Sequence, residues 1–586
     1  MNVKEYILNN KILCGIILGV FVLFIIFGFQ KEGYHVDEMY SYGLANSEYL
    51  PFMHFGVSGY DVKDWMKDYG AGENIGDLCS NIIKDVKIIA KAGFKVKETE
   101  IYAKYLEAQA NSADTLSSSW VNGKDYEDYL TGGKSNRFNY ASVYYNQRGD
   151  VHPPLYYIFL HTVCSVLEGK FTKWTGLGLN MVFMAAALVF IYEMCKSFLG
   201  GRESALTVTA LYGISSAIMS VTVYIRMYAL LTLITMICAY LHLSAQDRDY
   251  KLKKKDYLQL GGIVLLGYLT HYYFVLFILA LAAVTTILML VKKKYKPALF
   301  YVLTMAASGV TGLIVWPFSI RHVFSGYRGD QAFESLKSAY SFYKLNWNIQ
   351  TSLGETAGKI GLPVAVLTII AIVVLIILKK KKFPYEKMLI LLIPSAFAVI
   401  VVSQICPFYS DRYLSNISPF FLIIPVYILT ELVKAIQEKT KTKKEKKKIN
   451  TALIVSLSVF GVITACFNNC FINNVNNLFK GGQETVEIEE NTDCICVLPD
   501  GDWNEPAEDS MILAKCNKVG IVYESNIQIL KKGYKLKPDG KILINVAHGL
   551  DADETVKKVQ EELSLEDTKE INRKEADWCT RIWLSR

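Results

Sequence analysis

Long apolar runs cut by short lysine clusters set the pattern of this chain. Residues 12–29 carry no charge, and comparable runs lie near 153–168, 177–198, 204–224, 227–245, 258–270, 273–291, 298–318, 358–378, 388–406, 417–434 and 450–467. Because ~20 apolar residues are needed to cross the hydrocarbon of a bilayer, these runs predict about twelve spans, and about 12 to 14 if one of them holds two short helices. Lys4 and Lys11 precede the first run and no small-residue cleavage pattern follows it, which predicts a retained helix with a cytoplasmic N-terminus. Short Lys-rich loops resist translocation, so KLKKK at 251–255, KKKYK at 292–296, KKKK at 379–382 and KTKTKKEKKK at 439–448 are expected in the cytoplasm. The turns midway between them then face outward, as does the tail from 468 to 586. One count fails: residues 30–150 and 169–174 both come out on the outer side, which a single crossing by 153–168 does not satisfy; either that segment is re-entrant, or one of the spans between 175 and 245 is two short helices, or one basic loop is misassigned.

Four regions follow from this pattern. They are a first membrane helix at 1–29, a large extracytoplasmic loop with juxtamembrane helices at 30–150, a multi-span domain at 151–467 and a soluble tail at 468–586. The loop is far longer than a connection requires and is rich in Tyr, Asp, Lys and Gly, with a helical pattern from Asn81 to Gln109 and a break at Thr131-Gly132-Gly133. In the tail, β-rich runs at Cys494–Leu498, Val519–Tyr523 and Ile542–Val546 precede a helical pattern from Asp553 to Leu563, which predicts a small α/β unit.

Composition agrees with a membrane protein and removes other classes. Of 586 residues, 52% are hydrophobic, and mean hydropathy is +0.23, too apolar for a disordered chain. The net charge of +8 sits in the lysine runs between apolar stretches, so it marks topology and not a nucleic-acid surface. Twelve cysteines show no CxxC or zinc spacing, and Cys14, Cys164, Cys195 and Cys238 lie within apolar runs as small buried hydrophobes.

Ionisable groups at the edge of apolar helices are costly, which makes them candidates for function. Tyr34-His35-Val36-Asp37-Glu38 follows the first span; its adjacent carboxylates point in different directions, so one can serve as a general base while the other pairs or orients. An acidic pair within an aromatic belt is the structural alternative. Asp150 and His152 precede Pro153-Pro154, which forbid helix before them and fix the entry of the next segment. Arg226, flanked by Tyr224 and Tyr228, offers a fork of donors suited to phosphate, or simply snorkels to the interface. His271, among aromatics, is a weaker signal, and Asp411-Arg412-Tyr413 holds either a self-neutralising pair or a second phosphate donor.

Taken in order, these strings resemble the integral-membrane glycosyltransferases of the GT-C architecture, in the branch of protein O-mannosyltransferases and aminoarabinose transferases often described as RgtA/B/C/D-like or PMT-like. The likeness rests on Asp37-Glu38, the Asp150-x-His152-Pro153-Pro154-Leu155-Tyr156-Tyr157 string, Arg226-x-Tyr228, Thr270-His271-Tyr272 and Arg412-Tyr413 before Pro419, and covers roughly 10–435. It implies a polytopic α-helical membrane protein that moves a sugar from a polyprenyl-phosphate carrier to an acceptor at the outer face, with inversion. Asp37 becomes the general base and Glu38 a second catalytic carboxylate shaping the site with Asp150. Arg226 and Arg412 take the leaving phosphate, and His152, Tyr228, His271 and Tyr413 complete the substrate site. No cofactor is implied, although some relatives bind a divalent ion, for which Asp37, Glu38 and Asp150 are the available ligands. The basic residues that relatives carry in the first loop have no matched motif here; Lys63, Lys67, Arg137 and Arg148 are the candidates. The bilayer and the lipid-linked donor are the implied partners, the acceptor being glycan, lipid or protein.

Two other classes compete. A transporter or flippase predicts charges near mid-membrane and an internal repeat, whereas here the charges gather at one edge and no repeat is found. A non-catalytic assembly or sensor protein predicts that Asp37→Asn is tolerated.

Overall fold

The computed structural model describes residues 3–48, 120–148, 150–167, 169–199, 201–324, 327–358, 361–379, 385–439, 475–479, 486–500, 505–531, 534–537 and 540–586, with isolated positions between 80 and 100. The helical pattern at Asn81–Gln109, the candidates Lys63 and Lys67 and the apolar run at 450–467 fall wholly or mostly outside the described residues. Contacts divide the chain into two units, Met1–Lys31 with Gly176–Leu478, and Glu32–Thr175 with Phe479–Arg586.

The first unit is a helical membrane bundle. Among the described residues, seven helices are long and apolar enough to cross a bilayer: Lys11–Gln30, Lys173–Leu199, Tyr228–Asp247, Tyr273–Val291, Tyr295–Val315, Glu386–Ile405 and Arg412–Leu432. Counting the pair Arg202–Gly213 and Ser216–Val223, bent by 53°, as one broken span gives eight. The apolar runs at 258–270 and 358–378 form the helices Lys254–Tyr268 and Gly361–Lys379, which these seven do not include. Outward apolar side chains such as Leu18, Val182, Leu299 and Ile369, each at least 59% accessible, are what a lipid solvent accepts and water does not.

The run at 153–168 is a twelve-residue helix, Leu155–Val166. At 1.5 Å per residue it rises only about 18 Å, short of the hydrocarbon thickness, and it belongs to the second unit. Removing this segment as a crossing dissolves the parity conflict in the sequence.

The second unit joins the first loop and the tail, which the sequence reading set apart. Its six-stranded sheet has the order β1-β3-β2-β4-β6-β5, where β1 is Val121–Asn122, β2 Thr492–Leu498, β3 Lys518–Tyr523, β4 Lys541–Ala547, β5 Lys569–Glu575 and β6 Cys579–Ser585. Strands β3, β2 and β4 run parallel, and the loop strand β1 adds antiparallel to β3 through Val121 and Val519. Trp120 fixes this junction, its Nε1–H donating to Leu530 O at 2.9 Å and its ring stacking on Tyr534. The edge strand β5 is charged and exposed, which discourages further pairing.

Alternation along β2 gives the sheet two different faces. Ile495 and Val497 pack with Ile542, Ile544 and Val546 of β4 and with Val559 of helix Ala552–Leu563 into an apolar core. Cys494 and Cys496 point the other way, toward Asn545 and a buried pair in which Arg581 donates to Asp509 at 2.5 Å. All nine described cysteines are free.

Glu508 borders this polar face. Burial, then the charges of Asp577, Asp509 and Glu505, outweigh Arg581 and push its carboxyl from 4.5 up to about 7. The folded chain therefore holds a proton that the unfolded chain releases, so this group's contribution to stability falls as pH rises from 4.5 through 7. Glu508→Gln should remove that slope. Amide exchange across β4 and β6 in the full-length protein should then lose less protection over this range than in the wild type.

Candidate functional site

Each unit carries one cluster of the expected residues. In the second unit, helix Val36–Asn46 presents Asp37 in its first turn. His35 caps it: the Asp37 backbone N–H donates to His35 Nδ1 at 3.1 Å, and the His35 N–H donates to Glu38 Oε2 at 2.8 Å. Glu38 is fully buried and its carboxylate closes the helix N-terminus. Asp37 keeps 27% of its side chain accessible, with Oδ2 3.6 Å from His35 Nδ1.

Asparagines fix the other end of this helix. Asn46 Nδ2 donates to Leu130 O, Asn136 Nδ2 to Asn46 O, and Asn146 Nδ2 to Ser47 O. At Gly43 the packing is closest: a Cβ there would lie 1.6 Å from Cζ of the buried Tyr129, on helix Gly123–Thr131. That helix ends where Gly132 adopts a left-handed φ of 72°, the break expected from the sequence. Gly43→Ala should displace the ring or the helix and cost ~1–3 kcal/mol. Thermal unfolding should show it, and shortening Tyr129 to Leu in the same chain should restore stability.

Asp150 and His152 form a second pair, with Nδ1 and Oδ2 2.9 Å apart, while the buried Tyr157 hydroxyl donates to the same oxygen at 3.5 Å. Pro153 and Pro154 lead directly into helix Leu155–Val166, with Pro154 at its N-cap. Tyr40 lies on the same helix as Asp37, and its phenol is held well above 10 by burial first, and then by the fields of Tyr129, Asp37 and Asp150.

The first unit holds the other cluster. Arg412 leads the 3-10 turn Asp411–Ile417, donates through Nη1 to the Tyr224 hydroxyl, and lies 5.7 Å and 5.4 Å from the ring centres of Tyr224 and Tyr413. Tyr224 stacks in turn on Tyr228. Arg412, Tyr224 and Tyr228 line a small, narrow pocket together with Ser220, Ser352 and Glu355. Arg226 is buried beside this stack but does not line the pocket, and Tyr413 packs edge-on against Tyr273. His271 spends Nδ1 on the Tyr273 N–H at the start of helix Tyr273–Val291 and lies 5.7 Å from Tyr228, an arrangement that caps a helix.

Sequence reasoning missed Glu355, Ser352 and Asn477 of the pocket wall, which lie outside every charged string at a span edge and carry no motif. Among the described residues, no three His, Cys, Asp or Glu side chains are grouped to hold a metal ion.

No protein-family model matches the sequence, and no curated protein matches it. Among solved structures the chain is similar to ArnT from Cupriavidus metallidurans bound to undecaprenyl phosphate, at 11% identity over 74% of this chain and 87% of that one, with a TM-score of 0.45. The apo state of the same protein gives 10% identity, the same coverage and a TM-score of 0.44. A likeness this loose assigns no residue a role.

Proposed function

We propose that the protein is a membrane glycosyltransferase that takes a sugar from a polyprenyl-phosphate donor and passes it to an acceptor at the outer face. The observation that carries the reading is an accessible carboxylate, Asp37, held at a helix N-terminus where an acceptor can reach it. In the transfer, the acceptor O–H or N–H gives its proton to Asp37 as its heteroatom bonds to the anomeric carbon. The bond from that carbon to the phosphate oxygen breaks with inversion, and polyprenyl phosphate leaves as an anion. Arg412, with its guanidinium already fixed by Tyr224 and Tyr413, meets that developing charge at no reorganisation cost, and Arg226 adds a second positive field.

Topology supports the outer face. With Leu155–Val166 not crossing and Arg202–Val223 counted as one bent span, alternate crossings put all four lysine runs on one side. The turns bearing Arg226 and Arg412 then lie on the other. This reading takes Lys254–Tyr268 and Gly361–Lys379 as spans and places the N-terminus in the cytoplasm.

The test is to supply purified protein and membrane extract with radiolabelled polyprenyl-phosphate sugars and follow the label. Transfer from one donor to a membrane or envelope acceptor supports the reading. Label that crosses a vesicle bilayer without leaving its carrier supports a flippase instead.

A further inference from the structure

Two lysine loops of the membrane unit are fastened to one another. Asp249, just after helix Tyr228–Asp247, pairs with Lys292 at 3.5 Å and with Lys294, both in the loop before helix Tyr295–Val315. Lys292 also lies 5.7 Å from the ring centre of the fully buried Tyr250, which holds the first loop against the second. The helices that leave these loops, Lys254–Tyr268 and Tyr295–Val315, run side by side in the same direction. Tyr257 meets Phe300 with ring centres 6.1 Å apart, a Cβ on Gly261 would lie 3.1 Å from Thr304 Cγ2, and one on Gly312 would lie 2.7 Å from Tyr268 Cδ1. This near-constant offset sets Lys254 and Lys255 level with Lys296, about one turn before the Tyr257–Phe300 contact.

Positive charge is in surplus there. The nearby carboxylates are already engaged: Asp249 by Lys292 and Lys294, Asp256 by Arg248 at 2.9 Å, and Glu386 by Lys292 at 2.6 Å. Among the described residues, the exposed Lys254, Lys255, Lys293 and Lys296 take part in no ion pair. One turn further along the same helices the surface becomes apolar, with Leu258, Leu299, Phe300 and Leu303 exposed. Cations edged by an apolar strip match an anionic phospholipid, its phosphate among the ammonium groups and its acyl chains along the leucines. A soluble phosphate would leave the strip uncovered, and salt screens exposed lysines from it beyond about 8 Å.

We propose that the paired starts of these two helices bind the headgroup of an anionic phospholipid, on the face of the bilayer that carries the lysine runs. This seat needs only the membrane bundle and is independent of the transferase reading.

The test titrates fluorescent phosphatidylglycerol and phosphatidylcholine into the full-length protein in neutral detergent. The wild type should bind phosphatidylglycerol the more tightly. A lysine near an anionic lipid surface is worth about fivefold in affinity, so the triple variant Lys254→Gln, Lys255→Gln, Lys296→Gln should lose about tenfold or more of that preference. The triple variant Lys254→Arg, Lys255→Arg, Lys296→Arg keeps the charges and should keep the preference. A control, Lys380→Gln, Lys381→Gln, Lys382→Gln, removes as much charge from another lysine run and should change the preference little. Free glycerol phosphate at the lipid's concentration should not displace the lipid. No preference in the wild type, an unchanged preference in the glutamine variant, its loss in the arginine variant, equal loss in the control, or displacement by glycerol phosphate each overturns the seat.

Discussion

Asp37→Asn should abolish most transfer while leaving the protein folded and inserted. The substitution keeps size and shape and removes only the group that accepts a proton. Positioned general bases typically contribute about 10²–10⁴ in rate, so kcat should fall by that factor with little change in KM for the donor. The fold is insulated from the change, because the cap uses the backbone N–H of Asp37 and the carboxylate of Glu38, not the Asp37 side chain. Glu38→Ala supplies the contrast. It removes the acceptor for the His35 N–H and should lower stability by ~0.5–2 kcal/mol while transfer by the folded fraction persists. Measured together, turnover and thermal unfolding separate the two neighbours. Retained transfer in Asp37→Asn removes Asp37 from the mechanism and makes Asp150 the base to test, by Asp150→Asn in the same assay.

The contrast between Asp37 and Glu38 also shows what the sequence could and could not say. Two adjacent carboxylates cannot share a direction, and the structure divides them as that rule demands, one into the cap and one partly open. Which one caps was concealed because the N-cap residue is His35, outside the usual Ser, Thr, Asp and Asn. Long apolar helices were legible from composition, since crossing a bilayer leaves little freedom. Hydropathy alone left the run at 153–168 undecided because it registers apolar content and not length, and one side of Leu155–Val166, with Tyr156, Tyr157 and Leu160, is buried within protein. Strands β2, β3 and β4 announced themselves by β-branched runs close to their observed limits, but β5, reading Lys-Glu-Ile-Asn-Arg-Lys-Glu, has no apolar face and gave no signal. Nor did β1, where two residues join loop to tail by a pairing that depends on partners distant in the chain. Glu355, in a helix of mixed polarity, joins a pocket wall only once the fold sets it in the same hollow as Arg412.

Replacing Arg412 should be the second severe lesion, and its chemistry can be told from its packing. On the proposed mechanism, Arg412→Ala removes a donor for the charge that develops as the phosphate leaves. Loss of one such preorganised donor costs about 10²–10³ in kcat. Arg412→Lys restores a positive charge but neither the planar fork nor the stacking on Tyr224 and Tyr413, so it should recover only about tenfold of the loss. Tyr224→Phe deletes the hydroxyl that accepts from Nη1 and leaves the ring in place, which tests the orientation of the guanidinium without removing it. Its effect should fall between wild type and Arg412→Lys and should appear in turnover more than in thermal stability. If Arg412 serves only to anchor the turn Asp411–Ile417, the pattern inverts. All three variants would then unfold at lower temperature, and the folded protein would transfer sugar at the wild-type rate.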